Sequence, residues 1–290
     1  MSIVVTAATG QLGRLVIEAL LERVPVKQIV AVARNVDKAA DFAANGVEVK
    51  VASYDDPASL QGVFSAGDTV LLISGTEFGK RTVQHRNVIE AARAGGVARL
   101  VYTSVLGGFL AGGFKLAEEQ HKPTEQALLA SGLTYTLLRN GWYTENYTDQ
   151  IPIQLEHGLV GAAGEGRIGS ASRADLAAAA AVVLTSSGHD NKAYELSGDS
   201  AWSFSEYAAE LSRQTGKQVI YNDVPLEVLT EIYVNAGLPR EPAEAFAESH
   251  VAIKRGLFEG GSGELRRLIG RPTTSLADSI SAALARPVRE

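Results

Sequence analysis

Ser2-Ile3-Val4-Val5-Thr6-Ala7-Ala8-Thr9-Gly10-Gln11-Leu12-Gly13 is the stretch that decides the fold. Ser2 to Thr6 is a β-branched run with no polar face, the pattern of a buried strand. Beyond the loop, Leu12, Leu15, Val16, Ala19, Leu20 and Val24 recur at helical spacing, predicting a helix from Gln11 to Arg23. In a strand–loop–helix of this kind glycines do three jobs: one permits the tight turn, one lets backbone approach a pyrophosphate, and one lets helix and strand pack closely. Gly10 and Gly13 suit the second and third jobs, and Ala7 stands in the place of the first. The free N–H groups at the helix start then hold phosphates. The plain alternative is a βα turn with two packing glycines. A strand before, a helix after and a second strand at the right distance favour the nucleotide site.

Working outward, Gln28 to Ala33 is the second strand, and Asp37 to Asn45 a helix stopped by Gly46. Val47 to Val51 is the third strand. Asp56-Pro57 predicts a helix start, with the helix running to about Ser65. Strands follow at Thr69 to Ile73, Arg99 to Thr103 and Thr134 to Arg139. Helices at Arg81 to Ala94 and Lys115 to Ala130 separate them. Strands alternating with helices give an α/β fold, a doubly wound parallel sheet of the Rossmann type. After about residue 141 the pattern loosens into a smaller, mainly helical C-terminal lobe. Within it Lys192 to Leu196 and Lys217 to Asn222 read as short strands. The expected division is residues 1–150 for the nucleotide-binding domain and 151–290 for the substrate lobe, with the chain free to cross back.

The end of the second strand reads Ala31-Val32-Ala33-Arg34-Asn35, with no acid to hold a ribose 2′-hydroxyl. Arg34 can instead pair with a 2′-phosphate through its planar fork, and Lys38 adds charge from the next turn. The cofactor expected is therefore NADPH. Thr9, Gly10, Gln11, Leu12 and Gly13 would hold it at the loop. Ser74 and Gly75 after the fourth strand and Thr103 after the fifth would hold it at the strand ends, where such sheets bind ligands. Ser104 belongs to the same turn after the fifth strand, which faces the cleft, and is a candidate for substrate.

Several stretches together carry a family resemblance. They are Ala8 to Gly13, Ala33-Arg34-Asn35, Gln84-His85-Arg86-Asn87-Val88, Tyr102-Thr103-Ser104, Tyr135 to Tyr143, Tyr194 to Asp199 and Leu268 to Thr273. The chain resembles the NmrA-like branch of the atypical short-chain dehydrogenases, and within it the bacterial type 2 NAD(P)H:quinone oxidoreductases, cousins of the triphenylmethane dye reductases. That resemblance covers essentially the whole chain. It implies an NADPH-binding domain, a smaller lobe, a substrate cleft between them and hydride transfer to a quinone or similar flat, electron-poor acceptor. It also suggests a homodimer. The NmrA-like family includes non-catalytic NADPH-sensing regulatory proteins, which are the alternative reading. Ala7 and Ser53 depart from the residues usual in the family.

No tyrosine here has a lysine four residues later, so the usual proton-donating pair of short-chain dehydrogenases is missing. Quinone reduction tolerates that loss: hydride addition yields a stabilised aromatic oxyanion that water can protonate, and ring placement carries much of the catalysis. His121 lies near where that lysine would be and can hold the nicotinamide ribose or shuttle a proton. The bland alternative is a surface histidine beside Pro123. Asn140, Trp142 and Tyr143 follow the sixth strand. An amide beside two aromatics suits a flat acceptor, bonding its carbonyl while the rings stack, although aromatics there also serve packing.

The 290 residues carry a net charge of −6 and no basic block, which argues against nucleic acid as a partner. There is no cysteine, so thiolate chemistry and disulfides are excluded, and the histidines lack metal-ligand spacing. No apolar run reaches the ~18 residues of a membrane span. The first strand begins too close to Met1 for a signal peptide, so a cytoplasmic protein acting on a small molecule is expected.

Overall fold

β-branched runs without a polar face need cover on both sides of a sheet, and the chain provides it with helices. The computed structural model describes residues 1–107, 114–115 and 117–286. In chain order the first elements are β1 (Ile3–Val5), α1 (Gln11–Leu21), β2 (Ile29–Ala33), α2 (Ala40–Ala44) and β3 (Glu48–Val51). Next come β4 (Thr69–Leu72), α3 (Arg81–Gly95), β5 (Arg99–Val105), α4 (Lys122–Ala130) and β6 (Tyr135–Asn140). There follow α5 (Glu145–Thr148), α6 (Ile151–His157), β7 (Leu159–Gly161), β8 (Arg167–Ile168), α7 (Arg173–Thr185) and β9 (Lys192–Leu196). The last are β10 (Trp202–Ser203), α8 (Phe204–Thr215), β11 (Tyr221–Asp223), α9 (Leu226–Asn235), α10 (Arg240–Lys254), α11 (Glu264–Ile269) and α12 (Leu276–Leu284).

The main sheet has the order β3-β2-β1-β4-β5-β6-β9. The pairings from β3 through β6 are all parallel. The chain steps outward from β1 to β3, then returns to β4 on the far side of β1, as the doubly wound reading expects. Val4, Val70, Leu72, Leu100, Tyr102 and Leu137 point to one face, where Val88, Ile89 and Ala92 of α3 and Leu128 of α4 cover them. On the other side α1 packs against α7. Ala177, Ala179, Ala180 and Ala181 of α7 are buried, and their small side chains permit that close approach.

The chain divides into two compact units. The first comprises residues 1–105, 119–140 and 173–194, and the second residues 106–118, 141–172 and 195–290. In the second, β7 pairs in parallel with β11 and β8 antiparallel with β10, among α5, α6 and α8–α12. Its aromatic core centres on Tyr147, which meets Trp202 at 5.1 Å and Phe204 at 5.4 Å.

Three expectations need correction. Residues 56–65 form successive turns instead of a helix. Ser59, Gln61 and Val63 donate to carbonyls three residues back, Asp56 Oδ1 accepts from the Ala58 N–H, and Gly62 adopts φ +72°. Ser59 Oγ also accepts from the Ser53 N–H and donates to Asp56 O, so local side-chain bonds outcompete the helical ladder. The strand expected from Lys217 begins only at Tyr221, because Ser212 Oγ of α8 bonds both the N–H and the C=O of Val219. The helix expected over Lys115 to Ala130 is α4 preceded by a π-helical turn, Ala117–His121, with Leu116 outside the described residues.

Candidate active site

Ala7, in the turn two residues beyond β1, has φ +48°, in the left-handed region that glycine occupies without strain. This turn brings Gly10 N–H to Ala7 O at 3.0 Å and starts α1 directly after Gly10. No side chain caps α1, and no acid stands in its first turn. Its leading N–H groups and the positive end of its dipole are thus open to an anion. A Cβ at Gly13 would lie 2.5 Å from Ala7 O, 2.7 Å from Ala8 O and 2.8 Å from Ala8 Cα. Only glycine lets α1 sit this close to β1. Leu12 is buried against the core, whereas Gln11 and Gly10 are exposed and Thr9 half-buried.

Arg34 lies just past β2, its side chain 74% exposed. Arg34 Nη1 meets Glu77 Oε1 at 3.4 Å, and Lys80 Nζ meets Glu77 Oε2 at 3.2 Å. Lys38 is exposed, and its carbonyl accepts a hydrogen bond from the Arg14 guanidinium. Tyr54 ties the neighbouring strand ends together: its hydroxyl bonds Thr6 Oγ1 and donates to Ile73 O at 2.9 Å, joining the ends of β1 and β4 to the segment after β3. Burial raises the Tyr54 pKa, keeping the phenol neutral. A cradle that any Cβ would fill, an uncapped helix start and an exposed guanidinium fit the pyrophosphate and 2′-phosphate of a dinucleotide.

Hydrogen bonds fix Ser74, Gly75, Thr103 and His121 in two neighbouring groups. Ser74 N–H donates to Thr103 Oγ1 at 2.9 Å, tying the ends of β4 and β5. Gly75 is held twice by α3: its C=O accepts from Arg81 Nε at 2.6 Å, and its N–H donates to His85 Nε2 at 2.9 Å. That donation fixes the His85 tautomer, so Nδ1–H donates to Thr124 Oγ1 at 2.9 Å. Burial, helped by the Arg81 charge, pulls the His85 pKa down to about 3. His121 follows the same logic. Arg81 Nη1 lies 3.3 Å from His121 Nε2 and can only donate, so Nδ1–H donates to Tyr102 Oη at 2.8 Å. Burial, with Arg81 and His85, lowers the His121 pKa well below its ordinary value. The π-helical turn points this ring inward, and at 6% exposure it is no surface histidine. Both ring nitrogens are engaged.

Arg81 and His85 were absent from the candidates drawn from sequence. The available signal was their i, i+4 spacing, which puts both on one face of α3.

Asn140 closes β6 beside Val105 of β5, and Ser104 pairs in register with Arg139. Asn140 Oδ1 and Ser104 Oγ are buried and lack a hydrogen-bond partner among the described residues. Buried polar atoms left open at strand ends point to a ligand or water. Trp142 and Tyr143 belong to the second unit. There the Trp142 ring packs on Phe258 at 5.1 Å, and Phe258 on Phe114 at 4.8 Å. Tyr143 bridges Ala171 through its backbone.

Residues 7–187 match the model of a family described as NAD(P)H-binding. The chain is 50% identical to "Quinone oxidoreductase 2" of Escherichia coli over 281 residues, 96% of this chain and 97% of that one. It is 29% identical to an "NAD(P)H azoreductase" of Xenophilus azovorans over 98% of both chains. Among solved structures, the E. coli NADPH-dependent quinone oxidoreductase QOR2 complexed with NADPH superposes with a TM-score of 0.93 at 48% identity, over 97% of this chain and 99% of the other. Citrobacter sp. triphenylmethane reductase complexed with NADP(H) gives 0.90 at 40% identity, over 97% and 100%. The glycine loop, the parallel sheet and the near-complete alignment agree: the chain belongs to the NAD(P)H-binding, NmrA-like family of reductases.

Proposed function

We propose that this protein is an NADPH-dependent reductase that passes a hydride to a quinone or a similar flat, electron-poor acceptor. The 50% identity to Quinone oxidoreductase 2 across nearly all of both chains carries the reading. The site's own chemistry supports it. The N–H groups at the start of α1 hold the pyrophosphate, with Gly13 keeping them close to β1. Arg34 takes the 2′-phosphate, and Lys38 adds positive charge nearby. Ser74, Gly75 and Thr103 shape the strand ends that face the nicotinamide. NADPH supplies the hydride when bound. Ser104 and Asn140 offer their open polar atoms to the acceptor or the nicotinamide. Trp142 and Tyr143 are assigned to the acceptor on their aromatic chemistry alone. With no Tyr-x-x-x-Lys pair in the chain, the proton that completes the hydroquinone comes from water. His121, neutral and bonded at both nitrogens, orients Arg81 and Tyr102 beneath this site.

Loss of NADPH absorbance on adding a simple benzoquinone is the direct test. Tight NADPH binding with no turnover across a panel of acceptors refutes the reductase and leaves the sensor. Arg34→Ala should remove most of an at least tenfold preference for NADPH over NADH. Equal affinities of the parent protein for the two cofactors would sink the assigned role of Arg34.

A further inference from the structure

The end of β2 lacks the carboxylate that dinucleotide sites use to hold a ribose 2′-hydroxyl, but a carboxylate reaches the same place from elsewhere. Glu77 lies in the loop after β4, which flanks β1 on the side opposite β2. All three strands are parallel, so their C-terminal ends share one edge of the sheet. β2 and β4 stand about 10 Å apart across β1, two strand spacings. The contact between Arg34 and Glu77 therefore spans the C-terminal end of β1, after which the Ala7 to Gly13 loop begins. Glu77 is shared with Lys80, so one carboxylate faces two cations. No other acid pairs with Arg34 among the described residues.

We propose that Glu77 is a second cofactor-specificity residue, set against Arg34. This rests on the reading that Arg34 binds the 2′-phosphate. In the free protein Glu77 occupies the guanidinium that the phosphate must take. With NADPH bound, its negative charge faces the phosphate and opposes it. With NADH bound, the Arg34–Glu77 pair survives, and the carboxylate can accept the 2′-hydroxyl. Glu77 thus does from β4 the work that an acid does at the end of β2 in NAD-specific sites, and it narrows the gap between the two cofactors.

The test is binding, read by titration of tryptophan fluorescence at low salt. The ligands are NADPH, NADH and the fragments 2′,5′-ADP and 5′-AMP, with thermal melts confirming the fold. Glu77→Gln should tighten NADPH and 2′,5′-ADP about threefold while leaving NADH and 5′-AMP unchanged or weaker. The phosphate preference then rises at least threefold. Glu77→Ala should do the same. In the Arg34→Ala background, Glu77→Gln should still raise the preference, but by less than in the parent, because the repulsion of the phosphate remains while the competition for the guanidinium is gone. A preference unchanged or reduced by both Glu77 variants overturns the proposal. If Arg34→Ala abolishes the preference in the same experiment, the role of Arg34 stands and that of Glu77 alone fails. If Arg34→Ala leaves the preference intact, the reading of Arg34 fails and the Glu77 proposal falls with it.

Discussion

Gly13→Ala tests the cofactor loop most sharply. The added Cβ meets three backbone atoms at 2.5, 2.7 and 2.8 Å, and backbone cannot swing aside as a side chain can. Ordinary contact begins at 3.4 Å, so the start of α1 must lift by about 0.9 Å, taking 2.5 Å to 3.4 Å. Overpacking of this kind costs about 1–3 kcal/mol, while alanine's better helix propensity returns about 1 kcal/mol. Global stability should therefore fall by no more than about 2 kcal/mol, and the protein still folds. Binding suffers more, because the lifted N–H groups are those that hold the pyrophosphate. A hydrogen bond to a charged group is worth about 1.5–3 kcal/mol, so one weakened bond lowers NADPH affinity roughly 10- to 100-fold. Gly10→Ala provides the contrast: its Cβ meets a single atom, Ala7 O at 3.2 Å, and should cost less than tenfold. Fluorescence titration gives both affinities and a thermal melt gives both stabilities. If Gly13→Ala binds NADPH within twofold of the parent, the loop is not the pyrophosphate cradle.

Ala7→Gly should stabilise the protein. Relief of a left-handed alanine gains about 1–2 kcal/mol, less about 0.4–1 kcal/mol for the freer unfolded chain, so Tm should rise by about 1–2 °C; a fall in Tm refutes the strain at Ala7. Stability should also depend on acid. Burial pulls His250 down to about 4 against the nearby Asp223, so below about 6.5 the unfolded chain binds a proton that the folded one refuses. Its share of the loss is about 1.4 kcal/mol per pH unit between about 6.5 and 4, beside those of His85 and His121, and His250→Gln should reduce the slope by that share in urea melts at pH 7 and 5. Parallel slopes in parent and variant would contradict it. Trp142→Ala should raise KM for quinone more than for NADPH in steady-state assays; unchanged quinone kinetics end the stacking role.

The sheet was legible because buried parallel strands leave an unambiguous mark: short β-branched runs separated by helical periodicity. The glycine loop was legible for a related reason, since close backbone approach excludes side chains. Residues 56–65 misled because Asp56-Pro57 is a sound helix start. The decision was made instead by Ser59 turning back on Asp56 and by the burial of Leu60, Val63 and Phe64. The support of the site was harder to see. Arg81 and His85 look like any polar pair on a helix, and their partner is the backbone of Gly75, which carries no side-chain signal. Glu77 was hidden for the same kind of reason: its relation to Arg34 depends on which strand lies beside β1, and spacing along the chain does not reveal sheet order.

The double hold on Gly75 has a kinetic consequence. With its N–H on His85 and its C=O on Arg81, this residue is immobilised by folding, before any cofactor arrives. The edge of the crevice after β4 is then a rigid ledge, and a dinucleotide docking on it loses little further chain entropy there. The Gly75 amide should be among the slowest in its loop to exchange with deuterium in the free protein, and cofactor should barely change that rate.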